Sequence, residues 1–233
     1  MPKAKSFNEA TKDWRLLLAA DIVVFGFIEN KLKVLLVRRK FDPGVGQWAI
    51  PGGFVREDES LEQAALRELH EETGLSQSAY LEQLYTFGDL KRDPRGRVIS
   101  VAYIHLVNNP EKIKLNASDD AAEAKWFDIN SLPTLAFGKS HKDILEYAWQ
   151  RLKWKFEYSN VALSMLPDKF TLSDLQKVYE AVYHKKIDKR NFRKKILAID
   201  FVIGLDQMKQ EMGRPAQFYK ASTTKLKIYN HVI

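Results

Sequence analysis

The chain has 233 residues, 45% hydrophobic and 29% charged, enough for one large domain or two modest ones with a real core. It has no cysteine and no long apolar run, which excludes disulfides, thiolate zinc sites, a cysteine nucleophile and a membrane-spanning helix; the opening MPKAKSFNEATKDW lacks a secretory signal's apolar centre, so a cytoplasmic protein is expected. The net charge of +7 is held unevenly, with 20 Lys+Arg against 22 Asp+Glu in residues 1–150 and 17 against 8 in residues 151–233, so the last third suits either an anionic partner such as nucleic acid or a merely solvated basic face.

In chain order, Asp21 to Phe27 and Leu32 to Arg38 are β-rich runs separated by IENK, the pattern of a hairpin. A Gly/Pro-rich loop, FDPGVGQW, leads through a short strand into a PGG turn. Ser60 to Thr73 reads as a helix with Ala64 or Ala65, Leu66 and Leu69 on its apolar side, ended by Gly74. Strands are predicted at Glu82 to Phe87, Arg97 to Val107 and Lys125 to Ile129, and a helix from Ser140 to about Phe156. The stretch EYSNVALSMLPDKF has no clean period and contains a proline, so the domain boundary is placed there, giving residues 1–157 and 158–233. Beyond it, Thr171 and Asp188 are placed to cap two helices, with Leu175, Val178, Tyr179 and Val182 inward on the first and Phe192, Ile196 and Ile199 on the second. Two strand-like runs, Phe201 to Leu205 and Gln217 to Ala221, flank a loop containing GRP. Helix, helix and hairpin in this order make the end of a winged helix-turn-helix.

The chemistry is concentrated in GFVREDESLEQAALRELHEETGL. Glu68, Glu71 and Glu72 stand at i, i+3 and i+4 and so share one helix face. Three glutamates alone also describe a solvated acidic face. Their register with Gly53, Glu59 and Arg67 favours instead a site for a hard cation, since carboxylate, water and phosphate oxygens are what Mg²⁺ or Mn²⁺ prefers. Such a cation can bridge a pyrophosphate and help activate an attacking water.

The stretch from Gly53 to Leu75 resembles the Nudix family at every fixed position of that family's motif, and the resemblance covers about residues 15 to 155. It implies an α+β protein whose first domain is an α/β/α sandwich with a mixed sheet. It also implies that Glu68 and Glu72, with Glu71 assisting, hold the metal, and that Arg67 and Glu59 form an orienting ion pair. Glu71, Glu72 and a carboxylate in the loop before WFDI, where Asp119, Asp120 and Glu123 stand, are the catalytic candidates that follow. LKRDPRGRVISVAY resembles the corresponding segment of ADP-ribose-handling Nudix proteins, with Arg92, Arg95 and Arg97 available to phosphate or simply forming a basic hairpin tip. The five histidines show no metal-ligand spacing and read as surface or packing residues.

Seven Lys or Arg and one Asp lie between His184 and Lys195. With Phe192 and Ile196 inward, Lys189, Arg190, Asn191, Arg193, Lys194 and Lys195 are left outward, as a helix in a major groove needs; Arg214 in the hairpin tip suits a minor groove. The order of parts, with DKRNFRKKIL and GRPAQFYK, is similar to the Nudix-related transcriptional regulators of NAD metabolism and to sugar-responsive regulators of the same layout. That resemblance implies a homodimer on double-stranded operator DNA whose affinity responds to ADP-ribose. Because the motif is intact, the ligand can be a signal, a substrate of a Mg²⁺-dependent ADP-ribose pyrophosphatase, or both.

Overall fold

The computed structural model describes residues 16–76, 80–117, 121–210, 215–230 and 232. Strands β1 (Leu17–Ile28) and β2 (Lys31–Arg39) form an antiparallel hairpin. Its two turn residues, Glu29 and Asn30, both have positive φ, 53° and 60°, the backbone that matches the twist of a tight hairpin. β1 then runs parallel to β6 (Val98–Val107), which pairs antiparallel with the edge strand β5 (Tyr80–Phe87). Short β3 (Trp48–Ala49) pairs with β2, β4 (Gly52–Phe54) with β1, and β7 (Ala121–Asp128) with β2. The sheet is therefore mixed, as expected.

β1 is buried on both faces, so its apolar run shows no alternation of polarity. Ala20, Ile22 and Val24 pack under helix α1 (Leu61–Thr73) with Ala64, Ala65 and Leu69. Val23 and Phe25 face the opposite way, beneath Ile144, Leu145, Ala148, Leu152 and Phe156 of helix α2 (Lys139–Tyr158). Leu66, expected on the inner side of α1, is instead 38% exposed. One residue past Ala65, it is rotated by about 100° from the buried row.

The stretch expected to divide the domains is itself packed. After α2, residues Asn160–Met165 form a 3-10 helix that buries Val161, Ala162, Leu163 and Met165. Then come β8 (Phe170–Thr171), helices α3 (Leu172–Tyr183) and α4 (Lys189–Ala198), and the hairpin β9 (Val202–Lys209) and β10 (Ala216–Ala221). β8, β10 and β9 make a three-stranded sheet behind the helix pair, a winged helix. Thr171 caps α3 by a reciprocal box with Asp174, and Asp188 accepts from the Asn191 N–H at the start of α4.

One continuous core joins both parts, from Val23 and Phe25 through Phe156 to Leu175, Val178, Tyr179, Phe192, Ile196 and Phe201. Polar contacts reinforce it: Trp149 Nε1 donates to the Val182 carbonyl at 2.9 Å, and the Tyr183 hydroxyl to the Lys153 carbonyl at 2.9 Å. Phe156 is fully buried, with its ring 4.9 Å from that of Tyr179. Phe156→Ala is expected to cost about 3–5 kcal/mol through lost burial and a cavity. Scanning calorimetry should show one transition, lowered as a whole; two separate transitions with one unmoved would contradict a shared core.

Candidate functional site

Helix α1 is built to present carboxylates. Ser60 Oγ accepts from the Gln63 N–H at 3.2 Å and Gln63 Oε1 accepts from the Ser60 N–H at 2.8 Å, which fixes the first turn. Gly74, at φ 75°, ends the helix in the left-handed conformation with its N–H bonded to the His70 carbonyl.

Arg67 organises the face. Its Nε and Nη2 donate to the two oxygens of Glu59 at 2.8 and 2.6 Å, its Nη1 to Glu68 at 2.6 Å and Glu71 at 3.0 Å, and its Nη2 to the Phe54 carbonyl at 3.2 Å. The expected Arg67–Glu59 pair is thus bidentate, and Arg67 also reaches Glu68, Glu71 and the Phe54 carbonyl. The hydrogen bonds from Arg67, then that from the Arg56 N–H, hold the Glu59 carboxyl at about 2. Burial pushes the Glu68 carboxyl above its usual range against the pull of Arg67. Glu72 is buried and accepts from the Gly52 N–H at 2.9 Å. The Glu68 carboxylate lies close over Gly53, where a Cβ would fall 2.2 Å from Oε1 and oblige the carboxylate to move.

Glu68 and Glu72 therefore both meet the Gly52–Gly53 backbone and offer only oxygen donors, which fits a hard divalent cation. Among the described residues no three acidic or histidine side chains converge as a ready metal cage, and Arg67 supplies positive charge to Glu68 and Glu71. Glu123 stands on β7 across from Arg38, at 3.8 Å; Asp119 and Asp120 lie outside the described residues.

The three arginines of the 90–103 segment each have a partner within the chain. Arg92 pairs with Asp21 at 3.1 Å, and the Ser100 hydroxyl donates to the same carboxylate. Arg95 grips buried Asp93 through Nε at 3.0 Å and Nη2 at 2.7 Å, and Arg97 donates to the Gly88 carbonyl. Burial alone would raise the Asp93 carboxyl, but the bonds from Arg95 hold it lower. Sequence reasoning missed Asp21, whose lone acid in an apolar strand was the available signal.

On α4, Lys189, Arg190, Asn191, Lys194 and Lys195 are exposed. Arg193 departs from expectation: it is half-buried and turned back, with Nη2 3.3 Å from Ser173 Oγ on α3. Its long side chain lies along the helix pair and reaches Ser173. Arg214 lies outside the described residues. A cavity of about 590 Å³ between Glu157, Tyr183, Lys186 and Phe192 shares no residue with the carboxylate face.

A mixed-sheet sandwich bearing this glutamate helix, followed by a winged helix with a basic second helix, defines a two-part Nudix regulator architecture. The comparisons agree. The NUDIX domain model matches residues 17–148 and the NrtR DNA-binding winged helix domain model residues 162–221. The chain is 34% identical to the ADPR responsive transcriptional repressor NtrR of Acinetobacter baylyi over 88% of its own length and 81% of the relative's. It is 43% identical to the ADP-ribose pyrophosphatase of Methanocaldococcus jannaschii over 62% of its length and 80% of that protein's. Shewanella oneidensis NrtR in complex with a 27mer DNA superposes with a TM-score of 0.78 at 34% identity, covering 93% of this chain and 99% of that one. The chain belongs to the Nudix family, within its NrtR group of winged-helix proteins.

His141 gives the fold a pH limit. It is fully buried, its Nδ1 accepts from the Ile50 N–H at 3.2 Å, and burial holds it at about 4 against an ordinary 6.5, with Asp21, Arg92, Arg39 and Asp93 acting on it more weakly. A depressed histidine contributes fully above pH 6.5 and its contribution is lost as pH falls toward 4, up to about 3 kcal/mol. His141→Asn keeps an acceptor for Ile50 but no titration, so chemical denaturation at pH 7 and pH 4.5 should show a smaller acid loss than in wild type; an equal loss in both would remove His141 as the cause.

Proposed function

We propose that this protein is an ADP-ribose-responsive transcriptional regulator that binds operator DNA of NAD-metabolism genes as a homodimer. The observation that carries this reading is the exposed row of Lys189, Arg190, Asn191 and Lys194 on the second helix of the winged helix, in one chain with an intact carboxylate face. Lys189 and Lys194 neutralise phosphates, while Arg190 and Asn191 have the donor geometry to read purine edges. Two copies would set two α4 helices about one DNA turn apart. Mg²⁺ or Mn²⁺, held by Glu68 and Glu72 with Glu71, would supply charge for the ligand's diphosphate. Arg67 keeps Glu68 and Glu71 oriented, and Glu72 is fixed by Gly52. Ligand affects DNA binding only through differential affinity for the DNA-competent state. A regulator that binds operator DNA would work in the cytoplasm.

Fluorescence anisotropy on promoter DNA of NAD-biosynthesis genes at physiological salt tests this. Specific binding is expected to be roughly a thousandfold or more tighter than on random DNA, with ADP-ribose shifting it by about 5- to 150-fold. Arg190→Ala should cost about 1–3 kcal/mol and relax sequence preference. Weak binding indifferent to sequence rejects the proposal.

The intact Gly53–Leu75 motif favours a second activity, hydrolysis of ADP-ribose by water to AMP and ribose 5-phosphate. Glu72, Glu71 and Glu123 are the candidates for handling the water's proton. AMP release with Mg²⁺ is expected to fall about a hundredfold or more in Glu72→Gln; wild type releasing no more AMP than this variant retires the hydrolase.

A further inference from the structure

We propose that the cleft between the end of α2, the end of α3 and the flank of α4 is a binding site for a small aromatic carboxylate, separate from the glutamate face of α1.

Size and lining set the class of ligand. The cleft has a volume of about 590 Å³, within the range of sites that take drug-sized molecules. Phe192, 1% exposed, closes its floor, and half-buried Tyr183 and Ile187 form its walls. The Tyr183 hydroxyl is committed elsewhere, donating to the Lys153 carbonyl at 2.9 Å, so this side chain leaves its ring to the cleft. Two aromatic side chains and an isoleucine suit a flat apolar body, which packs against rings offset or edge-on.

The wall is fixed before any ligand arrives. Between α3 and α4 the Ile187 N–H donates to Glu180 Oε1 at 3.1 Å, and the Ile187 carbonyl accepts from Gln176 Nε2 at 3.0 Å. Lys186 pairs with Glu180 at 2.9 Å, and Asp188 is spent on the first turn of α4, accepting from the Asn191 N–H at 2.8 Å. A preformed cleft of this kind loses little order on binding.

The mouth sets the sign of the charge. With Lys186 and Asp188 engaged, the charged lining groups left are Lys185, Lys195 and Glu157, all exposed and without an ion-pair partner among the described residues. Two ammoniums against one carboxylate favour a monoanion. The surrounding field agrees, because residues 185–195 carry seven Lys or Arg against Asp188 alone. Exposed ion pairs add little affinity; the rings and Ile187 hold the ligand's body, and the two lysines select its charge.

The test is isoleucine-methyl NMR on the full chain, titrated with 2-naphthoate and with 2-naphthamide as a neutral probe of the same shape. The Ile187 signal is assigned by its loss in Ile187→Val. 2-Naphthoate is expected to move this signal to saturation and to bind more tightly than 2-naphthamide. Lys185→Gln combined with Lys195→Gln should weaken 2-naphthoate by about 3- to 10-fold and leave 2-naphthamide unchanged. Both side chains are exposed, so the variant keeps the fold, which the remaining methyl signals report. An Ile187 methyl unmoved by millimolar 2-naphthoate overturns the site. Equal affinity for the two probes, or 2-naphthoate affinity unchanged in the lysine variant, overturns its selection of an anion.

Discussion

The candidate site depends on how Arg67 distributes one positive charge. Three glutamates on adjacent positions of a helix face repel one another, and two of them, Glu68 and Glu71, are bonded to this guanidinium. The same group takes both oxygens of Glu59 and the carbonyl of Phe54. Charge-assisted bonds of this kind are short and directional. They tie the helix, the loop before it and β4 into one unit, with the Glu68 carboxylate lying close over Gly53.

A second constraint is the burial of β1 on both faces. Its alternate residues pack beneath α1 on one side and beneath α2 on the other, and the α2 side continues without a break into the winged helix. Strand, helix and winged helix therefore share a close-packed interior of the kind that shifts between discrete packings rather than deforming smoothly. Trp149, Tyr183 and Asn130 add polar ties at the end of α3, where Asn130 meets His184 at the turn into α4. The turn after α3 is thereby held by side chains of both halves of the chain.

Much of this was legible in the residues themselves. Caps, turns and helix periods depend on neighbours three or four positions apart, so Ser60, Gly74, Thr171 and Asp188 announced their elements. The glutamate register likewise put Glu68, Glu71 and Glu72 on one face, because helix geometry alone sets that spacing. The error at Leu66 arose from reading composition where one step of rotation decides exposure. Arg193 misled for another reason: a long side chain goes where the neighbouring helix offers Ser173, and no local pattern carries that.

By itself, then, the sequence determined the element order, the mixed α+β class, the acidic face and the basic second helix, all properties of local chain geometry and charge. The tertiary structure alone decided the partners of the arginines. It brought Asp21 to Arg92 across 71 positions and set Phe54 and Phe137 around Arg95. It also made one core of two halves whose boundary the sequence reading placed near residue 157. These are contacts between residues far apart in the chain, fixed by strand pairing and by which face of β1 each helix covers, and no local period encodes them.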